Sequence, residues 1–233
     1  MRLKAVIFDL DGTLASFNLD YKTVRALVKA YLKDKGVPEP LLSINESVFE
    51  MLRKTEVWAR ETGKTAQFLE EIRQESLAIT EKHELEAAAS TSLMPGVAET
   101  LKALRGMGLK VGLCTINSQK SVEHILERFG IAEFFNVVVT RNQVTHVKPD
   151  PEHIEAALKA LAVSPTEAVI VGDSSVDMRA ARVLGAVAVG LPTGVSTVEQ
   201  LVDNGANYIV TSMFDLPQLI EKIETIRVEH VKD

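Results

Sequence analysis

Cysteine is almost missing from this chain. A single Cys114 among 233 residues rules out an internal disulfide and a cysteine-rich zinc site. It ends the apolar run Val111-Gly112-Leu113-Cys114, so it reads as a buried strand position rather than a nucleophile. No apolar stretch reaches the ~18 residues of a membrane span, so no transmembrane helix is expected. Positive charge is not in excess. Lys and Arg number 26 against 32 Asp and Glu, a formal charge of −6. That balance argues against non-specific nucleic-acid binding, while leaving room for a local basic site. The five histidines, His83, His124, His146, His153 and His230, lack the paired spacing of metal ligands, so surface or packing positions are expected for them. No internal repeat or low-complexity stretch occurs. A core strand begins within five residues of the amino terminus, which leaves no room for a signal peptide and makes a cytoplasmic protein the expectation.

What the chain does have is alternation. Apolar runs that read as buried strands recur at residues 4–10, 110–115, 136–140, 168–172, 186–190 and 208–210. Helical stripes lie between them: Val97, Leu101 and Leu104; Val122, Ile125, Leu126 and Phe129; Ile154, Leu158 and Leu161. Asp150 before Pro151 reads as a helix start, with a capping side chain and Pro at the first helical position. Alternating strands and helices predict an α/β fold, a Rossmann-like parallel sheet with helices on both faces. Ligands of such sheets bind beyond the carboxyl ends of the strands, where strand order reverses.

Residues 15–93 break the alternation. Val24, Leu27, Val28, Tyr31 and Leu32 follow helical spacing, and Pro38 and Pro40 interrupt it. Val48, Leu52 and the stretch to Trp58 resume it, Gly63 interrupts again, and Phe68, Leu69, Ile72 and Ile79 define a further helix. The expected organisation is an α/β catalytic core of residues 1–14 and 94–233, with an all-helical cap of residues 15–93 inserted after the first strand. The charged end, residues 227–233, is expected to fray.

The chemistry sits at the predicted carboxyl ends. Lys4-Ala5-Val6-Ile7-Phe8 leads directly into Asp9-Leu10-Asp11-Gly12-Thr13. Two carboxylates two residues apart at a strand end can hold a metal and present a nucleophile to a phosphate. A calcium loop would use a similar Asp-x-Asp start, but the downstream Glu is missing and the turn follows a strand, not a helix. Thr115 ends a second apolar run, Lys148-Pro149 follows, and then come Gly172-Asp173 and Asp177.

These patterns, in this order, resemble the haloacid-dehalogenase superfamily of phosphohydrolases, in its phosphoglycolate-phosphatase-like branch with a helical cap. Asp9-Leu10-Asp11-Gly12-Thr13 is similar to that family's first motif and Thr115 to its second. Lys148 with Pro149 and Pro151 is similar to the third, and Gly172-Asp173-Ser174-Ser175-Val176-Asp177 to the fourth. One departure stands out. Many phosphoglycolate-phosphatase-like members carry Asn directly after the Thr, whereas this chain has Ile116 and then Asn117.

The resemblance implies a set of roles. Asp9 would be the nucleophile. Asp11 would be the general acid and base, its protonated form favoured by neighbouring carboxylates. Asp9, the Asp11 carbonyl and Asp173 would ligate Mg2+, the cation suited to an all-oxygen site, with Asp177 orienting a ligand water or Lys148. Thr115 would donate to a phosphate oxygen, backbone amides around Ile116 and Asn117 would contact the phosphate, and Lys148 would neutralise nucleophile and phosphate. In the insert, Arg53, Lys54, Arg60 and Lys64 are cationic candidates for an anionic substrate, against the simpler reading of a solvated helix face.

The implied function is a magnesium-dependent phosphatase acting on a small phosphorylated metabolite through an aspartyl-phosphate. A sugar-phosphate phosphomutase shares the same core residues. A haloacid dehalogenase lacks the second carboxylate that Asp11 supplies here. Outside enzymes, a phospho-accepting signalling domain also sets Asp, Thr and Lys at parallel-strand ends, but is shorter, lacks a helical insert and needs no acid two residues after the acceptor.

Overall fold

A computed structural model describes residues 2–229; of the charged end expected to fray, residues 227–229 belong to a helix that ends at Glu229, and His230 with the rest of residues 230–233 lies outside the described residues. The chain divides into two compact units, Met1–Phe17 with Thr91–Asp233, and Asn18–Ser90.

The first unit is built on β1 (Ala5–Phe8), β2 (Lys110–Cys114), β3 (Val137–Val139), β4 (Ala168–Gly172), β5 (Val187–Gly190) and β6 (Tyr208–Ile209). All pairings are parallel, in the order β3-β2-β1-β4-β5-β6. Every residue of β1 is fully buried, as its unbroken apolar run requires of a strand covered on both faces. Strand order runs outward in opposite directions from β1 and β4, so the crevice at their carboxyl ends is the switch point of the sheet.

The second unit holds α1 (Tyr21–Asp34), α2 (Val48–Glu61) and α3 (Ala66–Ser90). Asp20 caps α1 by accepting from the Thr23 amide at 3.1 Å, and Ser47 caps α2 by accepting from the Glu50 amide at 3.1 Å. Val24, Val28, Leu32, Met51, Leu52 and Ile72 form its core. Leu27, read from spacing as part of that stripe, is 43% exposed, because it lies at the edge of the buried face of α1.

Residues 15–17 and 91–93 were expected in the insert, yet they pack with the sheet-bearing unit. Ala15 bridges Leu93, the Ser16 amide donates to the Ser92 carbonyl at 2.8 Å, and the Met94 amide donates to the Leu14 carbonyl at 2.9 Å. Both strands of the connection are therefore tied to each other.

The sheet is flanked by α4 (Val97–Gly106), α5 (Gln119–Phe129), α6 (Glu152–Leu161), α7 (Ser175–Leu184), α8 (Val198–Asp203) and α9 (Leu216–Glu229). Ala5 and Ile7 cluster with Ile154, Leu158 and Leu161 of α6 and Met178 and Ala181 of α7. Val6 and Phe8 point to the opposite face by the two-residue period of a strand. The helix expected to start at Pro151 begins one residue later. Pro151 is its cap residue, and Asp150 Oδ1 accepts from the Glu152 amide at 2.9 Å. Among the described residues, no helix is long and apolar enough to cross a membrane.

Candidate active site

Parallel pairing of β1 with β2 and β4 decides which loops meet. Asp9 is the first residue past β1, and its amide donates to the Val171 carbonyl of β4 at 2.9 Å. Asp173 directly follows β4. Asp177 is the third residue of α7, where it closes a capping box with Ser174. Carboxylate oxygens of Asp9, Asp173 and Asp177 lie within 4.8 Å of one another. These three acids, 164 and more residues apart in sequence at the extremes, are gathered only by strand order.

Lys148 enters this cluster from the loop before α6. Its Nζ donates to Asp9 Oδ1 at 2.8 Å, to Asp177 Oδ1 at 2.6 Å and to the Cys114 carbonyl at 2.7 Å. All three ammonium protons have acceptors. Its side chain is 3% exposed, against 1% for Asp177 and 12% for Asp9. Asp177 therefore holds Lys148 with one oxygen and caps α7 with the other, through the Ser174 amide and hydroxyl.

The electrostatics follow from burial. Desolvation pushes Asp173 up to about 8, with Asp9 and Asp177 adding to the rise. Desolvation likewise raises Asp9, to about 6, though Lys148 pulls it back. Burial works against the charge on Lys148, but Asp177 and Asp9 overrule it and hold the ammonium above its ordinary range. Three carboxylates and one ammonium leave two negative charges when all are ionised. An oxygen-only, doubly negative cluster is the donor chemistry that a hard divalent cation needs, so the residues present fit Mg2+.

Two glycines make room for Asp173. Gly12 has φ +78, a conformation glycine tolerates, and a Cβ there would meet Asp173 Oδ2 at 2.6 Å. At Gly194 a Cβ would sit 1.8 Å from the same oxygen. That oxygen accepts from the Val195 amide at 2.8 Å, and Thr193 donates its hydroxyl to the Gly12 carbonyl. The turn after β5 thus braces the loops that follow β1 and β4. Sequence reasoning did not assign it a role, although Pro192-Thr193-Gly194 after an apolar run was a visible turn signal.

The remaining expected residues cluster past β2. The Thr115 amide donates to the Val139 carbonyl at 3.0 Å, and its hydroxyl accepts from the Asn117 amide at 3.3 Å. The Ile116 carbonyl accepts from Arg141 Nη1 at 3.1 Å. Asn117 Nδ2 donates to Asp11 Oδ2 at 2.8 Å, a side-chain contact where only a backbone role was expected. Cys114 is buried, and desolvation pushes its thiol to about 12, as an inert strand position requires.

His153 also escaped the sequence reading as a neighbour of the site. It is fully buried, with Nδ1 accepting from the Lys148 amide at 3.4 Å. Burial first, then the Lys148 charge, lowers it to about 3, so it is neutral. His146 lies with Asp150 and Glu152 on the exposed side of the same loop. There Glu152 accepts from the Thr145 and His146 amides, which makes the trio a loop fastening.

In the helical unit the four cationic candidates have local partners. Arg53 makes a two-pronged pair with Glu50 at 3.0 and 2.7 Å. Lys54 pairs with Glu46 and Arg60 with Glu56. Lys64 lies over the Trp58 and Phe68 rings at 5.5 and 5.1 Å. The solvated-face reading accounts for them.

The sequence pattern of the haloacid dehalogenase-like hydrolases matches residues 3–185. The chain is 31% identical over 229 residues to the phosphoglycolate phosphatase of Salmonella choleraesuis (strain SC-B67), covering 92% of this chain and 91% of that protein. It is 31% identical over 217 residues to the pyrophosphatase PpaX of Bacillus velezensis, covering 92% and 95%. Among solved structures, a hydrolase from Pseudomonas syringae matches with a TM-score of 0.67 at 26% identity, over 94% of this chain and 99% of the other.

Proposed function

This chain belongs to the haloacid dehalogenase-like hydrolases, and from that membership we propose that it is a magnesium-dependent phosphatase of small phosphorylated metabolites. The relatives named for phosphoglycolate and pyrophosphate suggest small, multiply anionic substrates as the first to try. One observation carries the reading. Asp9, Asp173, Asp177 and Lys148 gather three carboxyl groups and one ammonium at the switch point of the sheet.

In this reading Asp9 attacks phosphorus with a carboxylate oxygen as the bond to the leaving oxygen breaks. Asp11, as the acid, gives its proton to that leaving oxygen. An aspartyl-phosphate remains. Asp11, now a carboxylate, takes a proton from water, whose oxygen attacks the same phosphorus and frees Asp9 and inorganic phosphate. Lys148 offsets the charge of Asp9 and of the incoming phosphate, and Asp177 holds Lys148 in place. Asp9, the Asp11 carbonyl and Asp173 would hold Mg2+. Bound there, the cation would supply the positive charge that lets a carboxylate approach a phosphate dianion. None of these groups reads the leaving group, so selectivity falls to the helical unit, which is our reading of its role as a cap.

The test is hydrolysis of para-nitrophenyl phosphate with and without magnesium, together with mass spectrometry of enzyme quenched during turnover. Activity lost in chelator, a phosphoryl adduct on Asp9 and loss of both in Asp9→Asn are expected. Full activity in excess chelator would overturn the metal assignment. Turnover by folded Asp9→Asn at the wild-type rate would overturn the covalent route.

A further inference from the structure

We propose that Asn117 is a positioning residue for Asp11, and that it decides which of the two Asp11 oxygens carries the transferred proton. The proposal rests on the phosphatase reading above, in which Asp11 is the acid and base.

The contact is short and its donor is fixed. Asn117 is 5% exposed, and its amide nitrogen lies 2.8 Å from Asp11 Oδ2. The loop that carries it is held on several sides. Its amide donates to the Thr115 hydroxyl at 3.3 Å, and its carbonyl accepts from the Arg141 amide at 3.4 Å. The preceding carbonyl, on Ile116, is held by the Arg141 guanidinium at 3.1 Å, and Arg141 is itself buried. The next residue, Ser118, caps α5, and Gln119 is tied to Asn142 at 2.9 Å. Asn117 therefore reaches Asp11 from a rigid platform.

The chemistry follows from what an amide nitrogen can do. It only donates. The carbonyl oxygen of a carboxylic acid accepts better than its hydroxyl oxygen, so a donor fixed on Oδ2 favours the acid form of Asp11 with its proton on Oδ1. In the carboxylate form the same bond keeps Oδ1 turned the same way for the second proton transfer. Without Asn117 the Oδ2 atom loses this donor and with it the preference for a proton on Oδ1, so the proton is delivered from the wrong oxygen or the wrong angle. Misplacement of a reacting group by ~1 Å can cost about 10²-fold.

The readout is sensitivity to the leaving group, which a general packing role would not move. Phenyl phosphate has a basic leaving oxygen that needs the proton, whereas dinitrophenyl phosphate leaves without it. We would measure single-turnover phosphoenzyme formation from both esters in the full-length wild type, Asn117→Ala and the near-isosteric Asn117→Leu, with thermal midpoints alongside. The expectation is a loss of about tenfold or more on phenyl phosphate with a change within about twofold on dinitrophenyl phosphate, in whichever of the two variants keeps its midpoint. Equal losses on both esters, or none on either, would overturn the proposal. A wild type silent on both esters would overturn the phosphatase reading and this proposal with it, and is told apart because the failure then precedes any substitution.

Discussion

Replacing Lys148 with Met tests the centre of the cluster. Met keeps most of the stem volume and removes the ammonium. Lys148 Nζ has three acceptors between 2.6 and 2.8 Å, and both it and Asp177 are almost wholly buried. A surface ion pair is worth about 0–1 kcal/mol. Breaking a buried one from a single side costs about 3–5 kcal/mol, because the orphaned charge stays in a poor solvent. The geometry selects the second figure. Asp177→Asn removes the charge and leaves one acceptor oxygen to serve either Lys148 or Ser174, while Asp9 and the Cys114 carbonyl still hold Lys148, so its cost should be smaller, about 1–3 kcal/mol. The double variant Lys148→Met/Asp177→Asn loses the ammonium and one of its orphaned carboxylates together. It should therefore be more stable than the two single losses predict, with an interaction energy of about 2–3 kcal/mol. Urea denaturation of all four proteins at one magnesium concentration gives the cycle, with para-nitrophenyl phosphate turnover measured in parallel. Turnover of Lys148→Met should fall by about 10²-fold or more, the scale of a lost charge-stabilising donor. Additive stability losses, or a Lys148→Met cost under ~1 kcal/mol, would refute the buried-pair reasoning.

Three further outcomes follow from single observations. Gly194→Ala would set a methyl 1.8 Å from Asp173 Oδ2, so Asp173 must turn away, and the magnesium concentration for half-maximal activity should rise at least several-fold while the fold persists; an unchanged requirement would mean that Asp173 is not a ligand. His153 is lowered to about 3, so the folded state refuses a proton that the unfolded chain takes below about 6.5. Its contribution to stability is therefore present above that value and lost as pH falls toward 3: the cost of His153→Asn should shrink by about 2 kcal/mol from pH 7.5 to pH 5, and a constant cost would contradict the burial argument. Arg53→Glu and Arg60→Glu break exposed pairs with Glu50 and Glu56, so each should change stability by under ~1 kcal/mol and leave the substrate profile as it was; a selective rise in KM for an anionic substrate would return that residue to substrate binding.

Much of this protein was legible before any tertiary contact was known. The six strands are local facts, since an unbroken apolar run bounded by turn residues has few other uses, and each expected strand is present within two residues at either end. The helices of the insert could be read for the same reason, from 3.6-residue periodicity and its interruption by Pro38, Pro40 and Gly63. α9 went unread although Leu216, Ile220 and Ile223 bury at helical spacing, because no motif drew attention to that stretch. Leu27 shows the limit of periodicity, which marks a stripe but not where its edge meets solvent.

Local sequence places the residue types that stand at the strand ends: Asp9 and Asp11 after β1, Thr115 after β2, Asp173 after β4. It can do so because a strand and the turn that ends it are encoded within about ten neighbouring residues. Which of those ends meet is a matter of strand order. The order β3-β2-β1-β4-β5-β6 sets β4 beside β1, and that brings Asp173 to Asp9 and Lys148 into hydrogen-bonding reach of Asp9 and Asp177. The same packing turned Asn117 from a backbone contact into a partner of Asp11, and made Gly194 a requirement of Asp173. Such pairings depend on distances between segments remote in sequence, which no local pattern records and only a closed, two-sided core enforces.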